Sequence, residues 1–217
     1  MRSRSHGALT IPLPSAIGTS AASIAWKCSG LDAAGLRAML GTSAITLGGL
    51  LKHLAHIEDS HFARLWLGSP AGAPWDTVDW DGTPDWDYRS AAEDIPEQLH
   101  VLWQESVARS RAIVEEVLST GGLDQLGAYT THSGERPNLR RILLDLIEEY
   151  ARYAGHADLI RESVDGLTGE DPRGELNHGV GQWSAFHAHP GEGEFLPSDH
   201  GRSHKRMTAV VTVPWKT

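Results

Sequence analysis

The chain has 217 residues, 40% of them hydrophobic, with 28 Asp and Glu against 19 Lys and Arg and a formal net charge of -9. That is enough chain for one domain with a real core. It also argues against nucleic acid as a partner, because a phosphate-binding surface needs clustered Lys and Arg. A single cysteine, Cys28, excludes an intrachain disulfide and fits a reducing, cytoplasmic compartment, and no run approaches the roughly 20 apolar residues of a membrane helix.

Residues 1–19 are rich in Gly, Pro and Ser and read as a disordered N-terminal arm. Pro12 and Pro14 interrupt their apolar stretch, which makes a poor signal segment. A short helix is expected from Ser20 to Cys28, stopped by Ser29 and Gly30, and a second over 32–40 with Asp32 as N-cap. The first long helix runs from about Thr46 to Leu67 and ends at Gly68. On its wheel Leu47, Leu50, Leu51, Leu54, Ile57, Phe62 and Leu65 fill one arc, with Lys52, Ala55 and Asp59 opposite.

Residues 68–95 form a loop rich in Pro, Gly, Asp and Trp, whose Trp75, Trp80 and Trp86 need something to pack on. A second long helix is expected from Pro96 to Leu118, with Pro96 at its first position. A third spans about Pro137 to Leu167, started at Pro137 and stopped at Gly166 or Gly169. The sum is an all-α, antiparallel four-helix bundle over 20–170. From 171 to 217 the helical period is lost, and the segment reads as a disordered, Gly- and His-rich C-terminal tail. His187 and His189, with His178, His200 and His204 nearby, would bind metal there only adventitiously.

The densest chemistry lies on the first long helix, where His53, His56 and His61 fall within nine residues beside Glu58 and Asp59. The wheel puts His53 at the edge of the apolar arc and His61 nearer its centre. On the third long helix Glu149, Tyr153 and His156 stand at i, i+4 and i+7 and share one face. A carboxylate at a stripe edge needs an Arg, a hydrogen-bond network or a metal, and bundle cores build metal sites from Glu and His at such spacing. The competing explanations are boundary histidines and Glu149 paired with Arg152.

The segment Leu50-Leu51-Lys52-His53-Leu54-Ala55-His56-Ile57-Glu58 resembles the first-ligand helix of the DinB-like superfamily. The stretch Ile147-Glu148-Glu149-Tyr150-Ala151-Arg152-Tyr153-Ala154-Gly155-His156-Ala157-Asp158 is similar to the second. Trp26-Lys27-Cys28-Ser29-Gly30-Leu31, the Trp/Asp loop and Leu167-Thr168-Gly169-Glu170 look like a bacterial branch that includes the mini-circle protein. The resemblance implies a DinB-like bundle, often a homodimer, with a divalent Zn or Ni ion held by three side chains. It implies a mycothiol-type thiol as cosubstrate, transferred to a small electrophile or used in isomerisation.

Carried over, the metal positions are His53, Glu149 and residue 153. Residue 153 is Tyr, and Asp145 stands where related sequences often show His. Three outcomes stay open: His156 serves as the third ligand, Tyr153 ligates as phenolate, or the site is empty. With metal, the chain would be a thiol transferase or isomerase; without it, a non-catalytic binding or stress-associated bundle, or a dimerising module. The Trp loop is either a lid over the thiol or packing across the bundle end, and Cys28 either a reactive thiol or a small buried side chain. The resemblance also implies a longer first helix than Ser20–Cys28, so a truncated one is expected.

Overall fold

The computed structural model describes residues 13–169, and the expectations for 1–12 and for the tail lie outside them. The regular elements of the described residues are all helices: α1 (Leu13–Cys28), α2 (Ala33–Leu36), α3 (Leu47–Asp59), a π-helical extension (Ser60–Trp66), a 3-10 turn (Trp75–Thr77), α4 (Trp86–Ser90), α5 (Pro96–Thr120) and α6 (Leu139–Asp165). The four long elements form the DinB-like bundle, with α1 against α6 and α3 between α5 and α6. No helix among the described residues is long and apolar enough to cross a membrane.

The helix boundaries follow local chemistry. The Asp32 side chain caps α2, the Thr46 hydroxyl accepts from Gly49 N–H at the start of α3, and the Asn138 side chain accepts from Arg141 N–H at the start of α6. Pro96 opens α5, and Gly166 closes α6 at φ 79°, a left-handed conformation that glycine takes without strain.

Two expectations are corrected. Helix α1 starts at Leu13, inside the expected arm, and its inward positions Ala21, Ile24 and Cys28 are buried. Small Ala and Cys side chains keep this helical spacing without making a recognisable apolar stripe. On α3, Lys52, Ala55 and Asp59 are buried rather than facing away from the core. The loop over 68–95 folds over that side, and each polar group there finds a partner. Lys52 Nζ pairs with Asp94 Oδ2 at 2.6 Å over the Trp86 ring. Asp59 accepts from Trp75 Nε1, Ser106 Oγ and Arg109 Nη2, all at 2.9 to 3.0 Å. The Trp loop therefore packs across the bundle, and Trp75 is buried.

Beyond Asp59 the backbone bonds skip one residue further, as in Leu67 N–H to Phe62 O. A wheel drawn at 100° per residue loses phase in such a widened turn. Phe62 is buried, while Leu65 is only half-buried. Gly49 sets how closely α4 approaches α3. A Cβ there would stand 3.2 Å from Tyr88 Cδ1 and 3.4 Å from Tyr88 Cα, so glycine lets α4 lie directly on α3.

Candidate functional site

Three elements converge on one imidazole. Helix α3 contributes His53, α4 contributes Asp87 and Tyr88, and α6 contributes Glu149 and Tyr153. His53 Nδ1 lies 2.8 Å from Asp87 Oδ2, and its Nε2 lies 3.6 Å from Glu149 Oε2. Tyr88 stacks on the ring at 4.6 Å between centroids, and Tyr153 meets it edge-on at 4.8 Å. The two aromatic rings fix the plane of the imidazole and shield it from solvent.

His53 Nε2 is buried and has no hydrogen-bond partner. Its polar neighbour, Glu149 Oε2, is beyond ordinary hydrogen-bond range. Such an orphan needs an explanation. Two ligands each about 2.1 Å from one zinc ion, at a tetrahedral angle, stand about 3.4 Å apart. The His53–Glu149 gap matches that separation, so these two residues fit a shared divalent cation.

Asp87 is buried, and its Oδ1 accepts from Tyr88 N–H at 2.9 Å. Burial pushes its carboxyl up, but hydrogen bonds from His53 and His56 outweigh burial and hold it well below the ordinary carboxylate value. The Tyr88 hydroxyl is pushed far up, first by burial and then by its hydrogen bond with Tyr153, so this phenol stays neutral.

The expected pairing of Glu149 with Arg152 is also present: Glu149 Oε1 lies 3.6 Å from Arg152 Nη1, while Oε2 faces His53. One carboxylate thus serves both neighbours. The other candidates from the sequence lie around this pair. His156 Nδ1 is buried without a partner, and its ring lies 5.6 Å from that of Tyr153. Among the described residues no three His, Cys, Asp or Glu side chains form a group arranged to hold a metal ion. His56 sits in the tryptophan wall, stacked on Trp80 at 4.1 Å and tilted against Trp75 at 5.0 Å. His61 donates from Nδ1 to the Ile57 carbonyl, and burial pushes its pKa down. Asp145 is taken up by Arg141.

Cys28 is a small buried side chain. Burial pushes its thiol up to about 12, against a weaker opposing effect of Arg161, so it is no nucleophile near neutrality.

Neither Asp87 nor Tyr88 stands out in the sequence. They belong to a run of Asp and aromatic residues, and nothing local marks Asp87 apart from Asp76, Asp79, Asp81 and Asp85. Only the packing of α4 on Gly49 selects it.

A family model described as Mycothiol-S-transferase matches residues 13–166, more than half of the chain. The chain belongs to the mycothiol-S-transferase family. That family lies within the DinB-like superfamily, which agrees with the bundle and with the resemblance carried by the His53 and Glu149 segments. The mycothiol-S-transferase match begins where α1 begins and ends at Gly166, the glycine that stops α6. Searches of curated proteins and of solved structures each returned no match.

Proposed function

We propose that this chain is a metal-dependent thiol S-transferase that joins a mycothiol-type thiol to a small electrophile at the His53–Glu149 pair. The observation that carries this is the buried, unpartnered His53 Nε2 facing Glu149 Oε2 across 3.6 Å. A divalent ion such as Zn or Ni would be held by those two atoms. Tyr153 stands at the expected third position, and His156, with its unpartnered Nδ1, is the alternative third donor. When bound, such an ion lowers the pKa of a coordinated thiol and so makes thiolate available near neutrality.

The protein's own residues do the rest. Tyr88 and Tyr153 hold the imidazole and keep water from its faces. Arg152 lies against Glu149 Oε1, leaving Oε2 to face the site. The sulfur–carbon bond forms as the thiol proton and the electrophile's leaving group depart. The competing reading, a bundle that has lost the chemistry, draws on Tyr153 and Asp145. Family membership and the facing His53–Glu149 donors weigh for catalysis.

The test is consumption of mycothiol with a chromogenic aryl halide, with Zn²⁺ or Ni²⁺ added. Native protein should turn over, and His53→Ala should lose at least about 100-fold in rate, the scale of a lost electrostatic catalytic contact. Native protein that consumes no thiol with either metal would refute the reading.

A further inference from the structure

We propose that Asp87 is the positioning residue of this site, fixing His53 so that Nε2, and not Nδ1, carries the ring's lone pair on the side that faces Glu149. This rests on His53 being the imidazole of the reacting centre, the reading under Proposed function.

A carboxylate can only accept hydrogen bonds. Asp87 Oδ2 lies 2.8 Å from His53 Nδ1, so the proton of a neutral His53 ring belongs on Nδ1 and Nε2 is left bare. Rotation of the ring is blocked by Tyr88 on one face and the edge of Tyr153. Rotation of the carboxylate is restrained as well, because Oδ1 is engaged by Tyr88 N–H.

The company Asp87 keeps is unusual for a buried acid. Burying a charge is costly unless it is paired, and the partners of Asp87 are two imidazoles and one backbone N–H rather than a Lys or Arg. The imidazoles are those of His53 and His56, the latter at 3.4 Å, and the N–H is that of Tyr88. Of the loop aspartates, Asp76, Asp79 and Asp81 are exposed and Asp85 and Asp94 are half-buried; Asp87 alone is buried. Helix α4 is thus the part of the Trp/Asp loop that sets the tautomer of the site, and Gly49 is the gap through which it reaches.

The test is Asp87→Asn. Tyr88 N–H holds the amide oxygen in the place of Oδ1, so the amide nitrogen takes the place of Oδ2. It then donates to His53 Nδ1 and forces the proton onto Nε2. Metal-free protein with isotope-labelled histidine is measured by long-range proton–nitrogen correlation spectra at mildly alkaline pH. The His53 signals are identified by their absence in His53→Gln. Native His53 should carry its proton on Nδ1, and Asp87→Asn should carry it on Nε2. In parallel, affinity for Zn²⁺ alone should fall roughly 10- to 100-fold in Asp87→Asn.

A native ring protonated on Nε2 overturns the assignment, even if the variant does not fold. So does an unchanged tautomer in a folded Asp87→Asn. Failure of the underlying reading looks different: His53→Ala would then keep both Zn²⁺ affinity and thiol turnover, whatever the spectra show.

Discussion

Trp75 Nε1 donates to Asp59 Oδ2 at 2.9 Å, and this buried bond ties the tryptophan loop to the helix that carries His53. Ser106 and Arg109 share the same carboxylate. Asp59→Ala would leave the buried Trp75 N–H without its acceptor, while Ser106 Oγ keeps the Leu102 carbonyl, and should cost about 3 kcal/mol of stability. Arg109→Ala takes the cation from a carboxylate that is itself only 7% exposed but keeps its Trp75 and Ser106 donors, so it should cost less, about 2 kcal/mol. Urea unfolding of the two variants checks the contrast.

Glu58 is buried and accepts from the Tyr150 hydroxyl at 2.9 Å, which itself accepts from Trp103 Nε1 at 3.0 Å. Burial raises its pKa from 4.5 to about 7, although the nearby Ser110 hydroxyl and the hydrogen bond from Tyr150 oppose that rise. The unfolded carboxyl gives up its proton first, so between these values the unfolded state binds fewer protons than the folded state. Stability therefore falls as pH rises from about 4.5 through about 7 and levels off above. The loss attributable to Glu58 is on the order of 3 kcal/mol. Glu58→Gln should flatten that part of the profile, as read from urea midpoints at acidic and neutral pH.

Cys28 should resist alkylation in the native protein. Its thiol is buried and pushed up to about 12, and only thiolate reacts. Iodoacetamide labelling followed by intact mass should show no adduct in the folded protein and one after denaturation. Rapid labelling of folded protein would contradict the burial.

Tyr153→His tests the third position of the site. A histidine there stands four residues past Glu149, on the same helical face. Imidazole is a far better zinc ligand than a neutral phenol. Affinity for Zn²⁺ should tighten by on the order of 100-fold, measured by competition with a chromogenic chelator. Unchanged affinity would place residue 153 away from the metal.

Much of the bundle was legible because its boundaries rest on local signals: Pro96 opens α5, and Gly166, one of two candidate stops, closes α6. Helix α1 was partly hidden, since Ala21 and Cys28 keep the spacing of a buried face without the bulk that makes a stripe visible. His53 and Glu149 were legible as polar groups at stripe edges. Asp87 was not, because its burial depends on a loop folding back through the gap at Gly49. The burial of Lys52 and Asp59 was missed for the same reason: a wheel records one helix, not what a distant loop lays over it.

The most direct test of the His53–Glu149 pair is metal stoichiometry. Purified protein is loaded with Zn²⁺, desalted and measured by plasma mass spectrometry, beside His53→Ala and Glu149→Gln. One equivalent in the native protein, lost in both variants, is the predicted result. No bound zinc in the native protein, or equal zinc in all three, would contradict a cation held between these two side chains.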